Sequence, residues 1–179
     1  MNFNIKGFFQ KIFDSIFGKK AESKKYNFLI VCTGNTCRSP MAASIMRLMV
    51  DQWPKIIGNV DSAGLGVTEH SAAKNSVLVM SREYNVDISR HNPQQLTQEI
   101  VDKADLILAM DSGAAMTIRN RYNTKGNVMA LSTFGLLRGS VPDPYGGSYE
   151  LYLATARQME HLIMRGLENL ANNPRGNGI

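Results

Sequence analysis

The sequence predicts a single α/β domain in which a parallel sheet carries helices on both faces, giving three layers. Short apolar runs alternate with segments of helical spacing along most of the 179 residues, which is the pattern of parallel strands joined by crossover helices. The first run, residues 26–31, is apolar at nearly every position, as expected of a parallel strand covered on both faces. The length suits one domain with a sizeable core.

The individual elements follow from the same patterns. Four apolar runs are the strand candidates, at residues 26–31, 60–63, 106–110 and 128–131. Five segments are the helix candidates, at residues 40–50, 72–84, 96–101, 111–118 and 148–170. Pro40 stands in the first turn of its helix, where proline is tolerated, and Asp111 is a favourable N-cap residue. In the last helix, the apolar residues expected to face the core are Leu151, Ala154, Met159, Leu162 and Ile163.

Charge is concentrated at the N-terminus. Residues 1–25 carry six lysines, Asp14 and Glu22, and account for +4 of the net charge of +5, so the remaining chain is nearly neutral. A broad nucleic-acid surface would need basic residues clustered across the fold, so we expect no nucleic-acid partner. The two cysteines, Cys32 and Cys37, lie in one short loop and form no disulfide framework. A cysteine that must stay reduced indicates the cytoplasm.

Residues 1–25 form a basic arm and linker ahead of the domain, which we place at residues 26–172, with a flexible tail at 173–179. Within residues 3–20, phenylalanines and isoleucines recur every three or four positions, which predicts an amphipathic helix. The segment is too polar to span a bilayer. Two interpretations stay open: peripheral contact with a membrane through residues 3–20, or packing on the domain or on a second copy.

The loop after the first strand combines a nucleophile with an anion site. Successive backbone N–H groups from Thr33 to Arg38, together with a helix N-terminus, can surround the oxygens of a phosphate group. Gly34 is expected to let the backbone bend there. The Arg38 fork can bind two oxygens at once. The same surroundings favour a thiolate at Cys32, which can attack phosphorus.

Hydrolysis also needs an acid for the leaving group. Asp143 is the candidate, because Pro142 and Pro144 restrict the backbone on both sides of it. It can protonate the leaving group and then act as the base for water. Tyr145 is expected to form an aromatic wall for the substrate side chain.

The loop Cys32-Thr-Gly-Asn-Thr-Cys-Arg38-Ser-Pro and the later Asp143-Pro-Tyr-Gly-Gly resemble the low-molecular-weight protein tyrosine phosphatase family, over about residues 26–170. The resemblance implies a four-stranded parallel sheet, a nucleophile, a phosphate-binding arginine and a general acid at Cys32, Arg38 and Asp143, and no metal or organic cofactor. It also implies a phosphorylated protein as substrate and inorganic phosphate as product. Further roles are implied for residues around the loop, with Asn35 and Ser39 as loop supports, Ser62 and His91 as braces behind it, and Cys37 as the partner that traps an oxidised Cys32.

Thr36 bears on the substrate. Members of the family that act on phosphotyrosine typically carry Ile or Leu at this position. Bacterial protein arginine phosphatases resemble this sequence in carrying Thr. A hydroxyl suits a polar guanidinium group, so we favour phosphoarginine, with phosphotyrosine as the alternative. Three other functions are disfavoured. An arsenate reductase would need further cysteines outside the loop, and a zinc site would need more ligands than two cysteines. An inactive phosphoprotein-binding module would not need Cys32, Arg38 and Asp143 all intact.

Overall fold

The computed structural model describes residues 23–53 and 55–173. The strands are β1 (Lys24–Cys32), β2 (Ile56–Gly64), β3 (Leu106–Ala109) and β4 (Asn127–Ala130). The helices are α1 (Arg38–Val50), α2 (Lys74–Tyr84), α3 (Gln98–Asp102), α4 (Ser112–Arg121), α5 (Leu131–Phe134) and α6 (Tyr149–Asn172). All strand pairs are parallel, in the order β2-β1-β3-β4. The predicted four-stranded parallel sheet is therefore confirmed.

Helices cover both faces of the sheet because the side chains of β1 alternate between two apolar clusters. Phe28 and Ile30 join one cluster with residues of α1, α2 and α6. Leu29 and Val31 join the other, with residues of α3 and α4. Burial on both faces explains why β1 is apolar at nearly every position. As a central strand between β2 and β3, β1 carries the loop that follows it into the middle of the sheet's carboxyl edge.

Several predicted boundaries and part of one predicted face are wrong. β1 begins at Lys24, inside the segment expected to be a linker. β2 begins at Ile56 rather than Val60, because residues 56–59 pair with the first residues of β1 although Gly58 and Asn59 interrupt the apolar pattern. β4 ends at Ala130, and Leu131 begins α5 rather than ending the strand. On α6, Met159, Leu162 and Ile163 are buried as predicted, but Leu151 and Ala154 are exposed. The first turns instead bury Tyr152, Thr155 and Ala156, so the buried face includes a tyrosine and a threonine that apolar spacing overlooks.

Three other sequence predictions concern the ends of the chain and helix capping. The amphipathic helix of residues 3–20 lies outside the described residues, as do all tail residues after Asn173. The N-cap at Asp111 is confirmed, because its carboxylate accepts from the Ala114 N–H at 2.7 Å. Among the residues described, no helix is long and apolar enough to cross a membrane.

Candidate active site

The loop between β1 and α1 turns sharply at Asn35. This residue has a φ of 55°, in the left-handed region that asparagine tolerates better than most side chains. The bend expected at Gly34 therefore lies one residue further on. Gly64, the last residue of β2, makes room for the loop: a Cβ there would lie 2.7 Å from the carbonyl oxygen of Thr33. The loop thus packs directly on the neighbouring strand.

The Cys32 sulfur lies inside this loop, close to two donors. The Asn35 N–H points at Sγ from 3.2 Å, and the Ser39 hydroxyl lies 3.0 Å from it. Ser39 accepts from the Asn35 side-chain amide at 2.8 Å. Its single proton is then available for the sulfur, which is closer than the Ala63 carbonyl at 3.4 Å. Both contacts, together with the N-terminus of α1, favour a negatively charged sulfur.

The Asn35 side chain fixes the loop to its surroundings. Its amide nitrogen donates to Ser39 and, at 2.9 Å, to the hydroxyl of Ser62 on β2. Its amide oxygen accepts from the Gln94 N–H at 2.9 Å. The residue is fully buried. Three protein segments therefore hold one side chain, which holds the left-handed turn in place.

His91 contacts the same residue from behind the loop. Its Nε2–H donates to the carbonyl oxygen of Asn35 at 2.9 Å. Burial lowers the pKa of His91, this hydrogen bond opposes the shift, and the charge of Arg47 adds to it. The imidazole is therefore neutral at neutral pH, with the proton on the nitrogen that faces the loop.

Arg38 is a buried cation whose Nε has no partner among the described residues. Its Nη1 donates to the Val141 carbonyl at 3.3 Å and its Nη2 pairs with the Asp143 carboxylate. Its side chain is only 8% exposed. Within residues 23–53 and 55–173, its buried Nε–H has no hydrogen-bond partner. Buried polar groups are nearly always paired, so this N–H is available for a ligand oxygen.

These groups meet around a cleft of about 220 Å³. Its lining residues are Cys32, Thr33, Gly34, Thr36, Cys37, Arg38, Gly66, Thr68, Glu69, Asp143 and Tyr145. Tyr145 is 65% exposed and stands at the opening. The structure thus brings the nucleophile, arginine and acid candidates into one cleft, while the predicted loop supports Asn35 and Ser39 are not among its lining residues.

A polar chain leads from the cleft into the core. The Thr36 hydroxyl lies 3.4 Å from the Cys37 sulfur, which in turn lies 3.3 Å from the Tyr152 hydroxyl on α6. Burial, followed by the contact with Cys37, raises the pKa of Tyr152, so its phenol stays protonated and can donate to the sulfur. Cys32 and Cys37 are both free thiols.

Sequence reasoning missed Gln94, Tyr152 and Glu69. Gln94 donates its N–H to Asn35 and its side-chain amide to the Ser62 carbonyl at 2.8 Å. None of the three belongs to a recognisable motif, since each reaches the loop only through the fold. Among the described residues, no group of three His, Cys, Asp or Glu side chains is arranged to hold a metal ion.

Comparison with known proteins agrees with this fold and cleft. The model of the low molecular weight phosphotyrosine protein phosphatase family matches residues 27–175. A protein-arginine-phosphatase of Geobacillus stearothermophilus is 37% identical over 147 residues, which cover 81% of this chain and 96% of that one. A probable low molecular weight protein-tyrosine-phosphatase EpsP of Ralstonia nicotianae is 35% identical over 141 residues, covering 78% and 90%. The crystal structure of a low molecular weight protein tyrosine phosphatase from T. tengcongensis matches with a TM-score of 0.76 at 35% identity, covering 81% of this chain and 99% of that one.

The fold, the cleft and these relatives define a cysteine-dependent protein phosphatase. The chain belongs to the low molecular weight phosphotyrosine protein phosphatase family. Its substrates are accordingly phosphorylated proteins, and its product is inorganic phosphate.

Proposed function

We propose that this protein removes phosphate from phosphorylated arginine side chains through a phosphocysteine on Cys32. The observation that carries the phosphate site is the unpartnered, buried Nε–H of Arg38 beside the cleft. A phosphoryl group there would accept from this N–H and from the loop's backbone N–H groups. The binding of a dianion compensates the buried positive charge of Arg38, which Asp143 only partly neutralises.

Two displacements complete the reaction. In the first, the Cys32 sulfur attacks phosphorus, a P–S bond forms and the P–N bond to arginine breaks. The leaving nitrogen takes its proton from Asp143. In the second, Asp143 takes a proton from water, the water oxygen attacks phosphorus and the P–S bond breaks. Inorganic phosphate leaves, and Cys32 and Asp143 return to their starting states.

Thr36 supports arginine over tyrosine as the side chain that carries the phosphate. It lines the cleft and is 5% exposed, and its hydroxyl lies 3.4 Å from the Cys37 sulfur, so the wall holds a polar atom where an Ile or Leu would add methyl groups. A guanidinium group has N–H donors for such an oxygen, whereas an aromatic ring has none. The Geobacillus stearothermophilus relative is named for arginine phosphatase activity. Tyr145 does not discriminate, because an aromatic ring stacks on a ring or on a guanidinium plane.

The test compares one peptide carrying phosphoarginine with the same peptide carrying phosphotyrosine. We expect the wild type to have the higher kcat/KM on phosphoarginine. Thr36→Val keeps the side-chain shape and removes the hydroxyl, and Thr36→Ile also fills the space, so both should shift the preference toward phosphotyrosine. A wild type that strongly prefers phosphotyrosine would refute the arginine assignment. Cys32→Ser is the control for chemistry, and undiminished turnover in it would remove Cys32 from the reaction.

We further propose that residues 26–172, together with Lys24 and Lys25 of β1, form the catalytic domain of a cytoplasmic enzyme, and that residues 3–20 contact the membrane surface peripherally. The support for membrane contact is the apolar and basic sequence pattern of that segment. Because β1 begins at Lys24, the truncation for this test should remove residues 1–22 and no more. Full-length protein should co-sediment with anionic liposomes and the truncated protein should not. Equal sedimentation would favour packing on the domain or on a second copy.

A further inference from the structure

The lining of the cleft carries charges of both signs. Its floor carries the buried Arg38 and the backbone N–H groups of the loop, which suit a phosphoryl group. Its lining also includes two carboxylates, Asp143 and Glu69. Asp143 pairs with Arg38 and has a place in the proposed reaction. Glu69, in the exposed segment after β2, has no place in it.

The Glu69 carboxylate is available for a ligand. In the described part of the chain it takes part in no hydrogen bond or ion pair. Such a charge close to an anion site weakens anion binding, since like charges repel. Its position beside a phosphate cleft is therefore unfavourable unless the bound molecule brings positive charge or N–H donors with it.

Glu69 also borders a second groove beside the cleft. A second groove of about 460 Å³ adjoins the cleft and shares Thr36, Glu69 and Tyr145 with it. Its two walls are joined by the Asn75 side-chain amide, which donates to the Gly147 carbonyl at 3.0 Å. A peptide backbone lying in this groove would send its phosphorylated side chain past Glu69 and Tyr145 to reach Cys32. Glu69 then faces the middle of that side chain, between the phosphorus atom and the backbone.

We propose that Glu69 is a specificity-determining residue whose carboxylate accepts hydrogen bonds from the guanidinium N–H groups of phosphoarginine. This inference rests on the proposed function. A phosphoarginine side chain places N–H donors directly behind its phosphoryl group, and a carboxylate is the acceptor that pairs best with them. A phosphotyrosine places a ring with no donor at the same depth, so Glu69 would repel its phosphoryl group without a compensating contact. One carboxylate thus favours the first substrate and disfavours the second.

The test substitutes Glu69→Gln and measures kcat/KM on the matched phosphoarginine and phosphotyrosine peptides. Glu168→Gln, an exposed glutamate on α6 outside both spaces, is the control for the same change in net charge. We expect Glu69→Gln to lower kcat/KM on phosphoarginine about fivefold, the size of a partly exposed ion pair, and to leave phosphotyrosine unchanged or improved. Glu168→Gln should leave kcat/KM on both peptides unchanged. Added salt should reduce the difference between the wild type and Glu69→Gln.

The outcomes separate this inference from the proposed function. If the wild type prefers phosphoarginine and Glu69→Gln keeps the same ratio between the two peptides, the role of Glu69 is refuted while the arginine phosphatase activity stands. If Glu69→Gln lowers kcat/KM equally on both peptides, the residue has no part in selectivity and the inference is likewise refuted. If the wild type prefers phosphotyrosine, the proposed function and the role of Glu69 both fail.

Discussion

Replacing Asn35 by alanine should strongly lower the free energy of unfolding, although this side chain does not line the cleft. The substitution removes the amide that joins the loop to Ser39, Ser62 and Gln94, by hydrogen bonds of 2.8, 2.9 and 2.9 Å. It also places an alanine at a φ of 55°, where its Cβ is unfavourable. The site is fully buried, so water cannot replace the lost partners without rearrangement.

The magnitude follows from these two losses. Three hydrogen bonds contribute about 1 kcal/mol each, and a left-handed alanine costs about 1–2 kcal/mol. The bonds share one side chain and are not independent, so we expect the free energy of unfolding to fall by about 3–5 kcal/mol. That is a large fraction of the roughly 5–15 kcal/mol that stabilises a typical domain.

Urea unfolding measures this loss directly. With a slope of about 2 kcal/mol per molar urea, the midpoint should fall by about 1.5–2.5 M. Asn35→Gly is the matched control, because glycine lacks the same side-chain bonds but adopts the left-handed turn without strain. It should be destabilised less than Asn35→Ala. A loss of under about 1 kcal/mol for Asn35→Ala, smaller than a single typical hydrogen bond with its desolvation cost, would refute the argument.

Three further predictions follow from the described contacts. Asp143→Asn removes the carboxylate that competes with phosphate for Arg38, so inorganic phosphate should inhibit the variant more strongly than the wild type. The variant also lacks the general acid, so kcat should fall about 10²–10⁴-fold. Weaker inhibition by phosphate would contradict the competition between Asp143 and phosphate. Because burial lowers the pKa of His91, the unfolded chain takes up a proton near pH 6.5 before the folded protein does, and stability falls as the pH drops through that range. Urea unfolding between about pH 7.5 and 5.5 should show a smaller loss for His91→Asn than for the wild type, and an equal loss would exclude His91 as the cause. A Cβ on Gly166 would lie 2.1 Å from the Phe134 ring, so Gly166→Ala should destabilise by about 1–3 kcal/mol despite the helix preference for alanine, and Phe134→Leu should cost less in that background than in the wild type.

The residues that perform the proposed chemistry were predictable because their sequence neighbours define their surroundings. Cys32 and Arg38 lie at the two ends of one short loop, and the prolines around Asp143 mark a fixed turn. The sheet was predictable for a similar reason, since the apolar run of β1 reports burial on both faces. The bend of the loop was predicted at Gly34, but the structure places the left-handed turn at Asn35.

The residues that sequence reasoning missed act across the fold. Tyr152 contacts Cys37 from 115 positions away, and Gln94 contacts Asn35 from 59 positions away. The apolar spacing of α6 predicted Leu151 to be buried, whereas the structure buries Tyr152 instead. A pattern of hydrophobic residues cannot show that a tyrosine is buried because its hydroxyl contacts a thiol. The early start of β2 was missed in the same way, since residues 56–59, of which only Ile56 is buried, are ordered by pairing with β1.

The position of the cleft separates the residues that hold the loop from those that we propose select the substrate. The reacting loop follows β1, a central strand, and is held by Ser62 of β2 and by Gln94 and His91, none of which lines the cleft. Glu69 and Tyr145 come instead from exposed segments outside the sheet, one after β2 and one before α6. We expect changes at those two positions to alter what the opening accepts without disturbing buried contacts of the loop. Substrate preference should then change at little cost in stability, whereas a change at Asn35 should affect stability and every substrate alike.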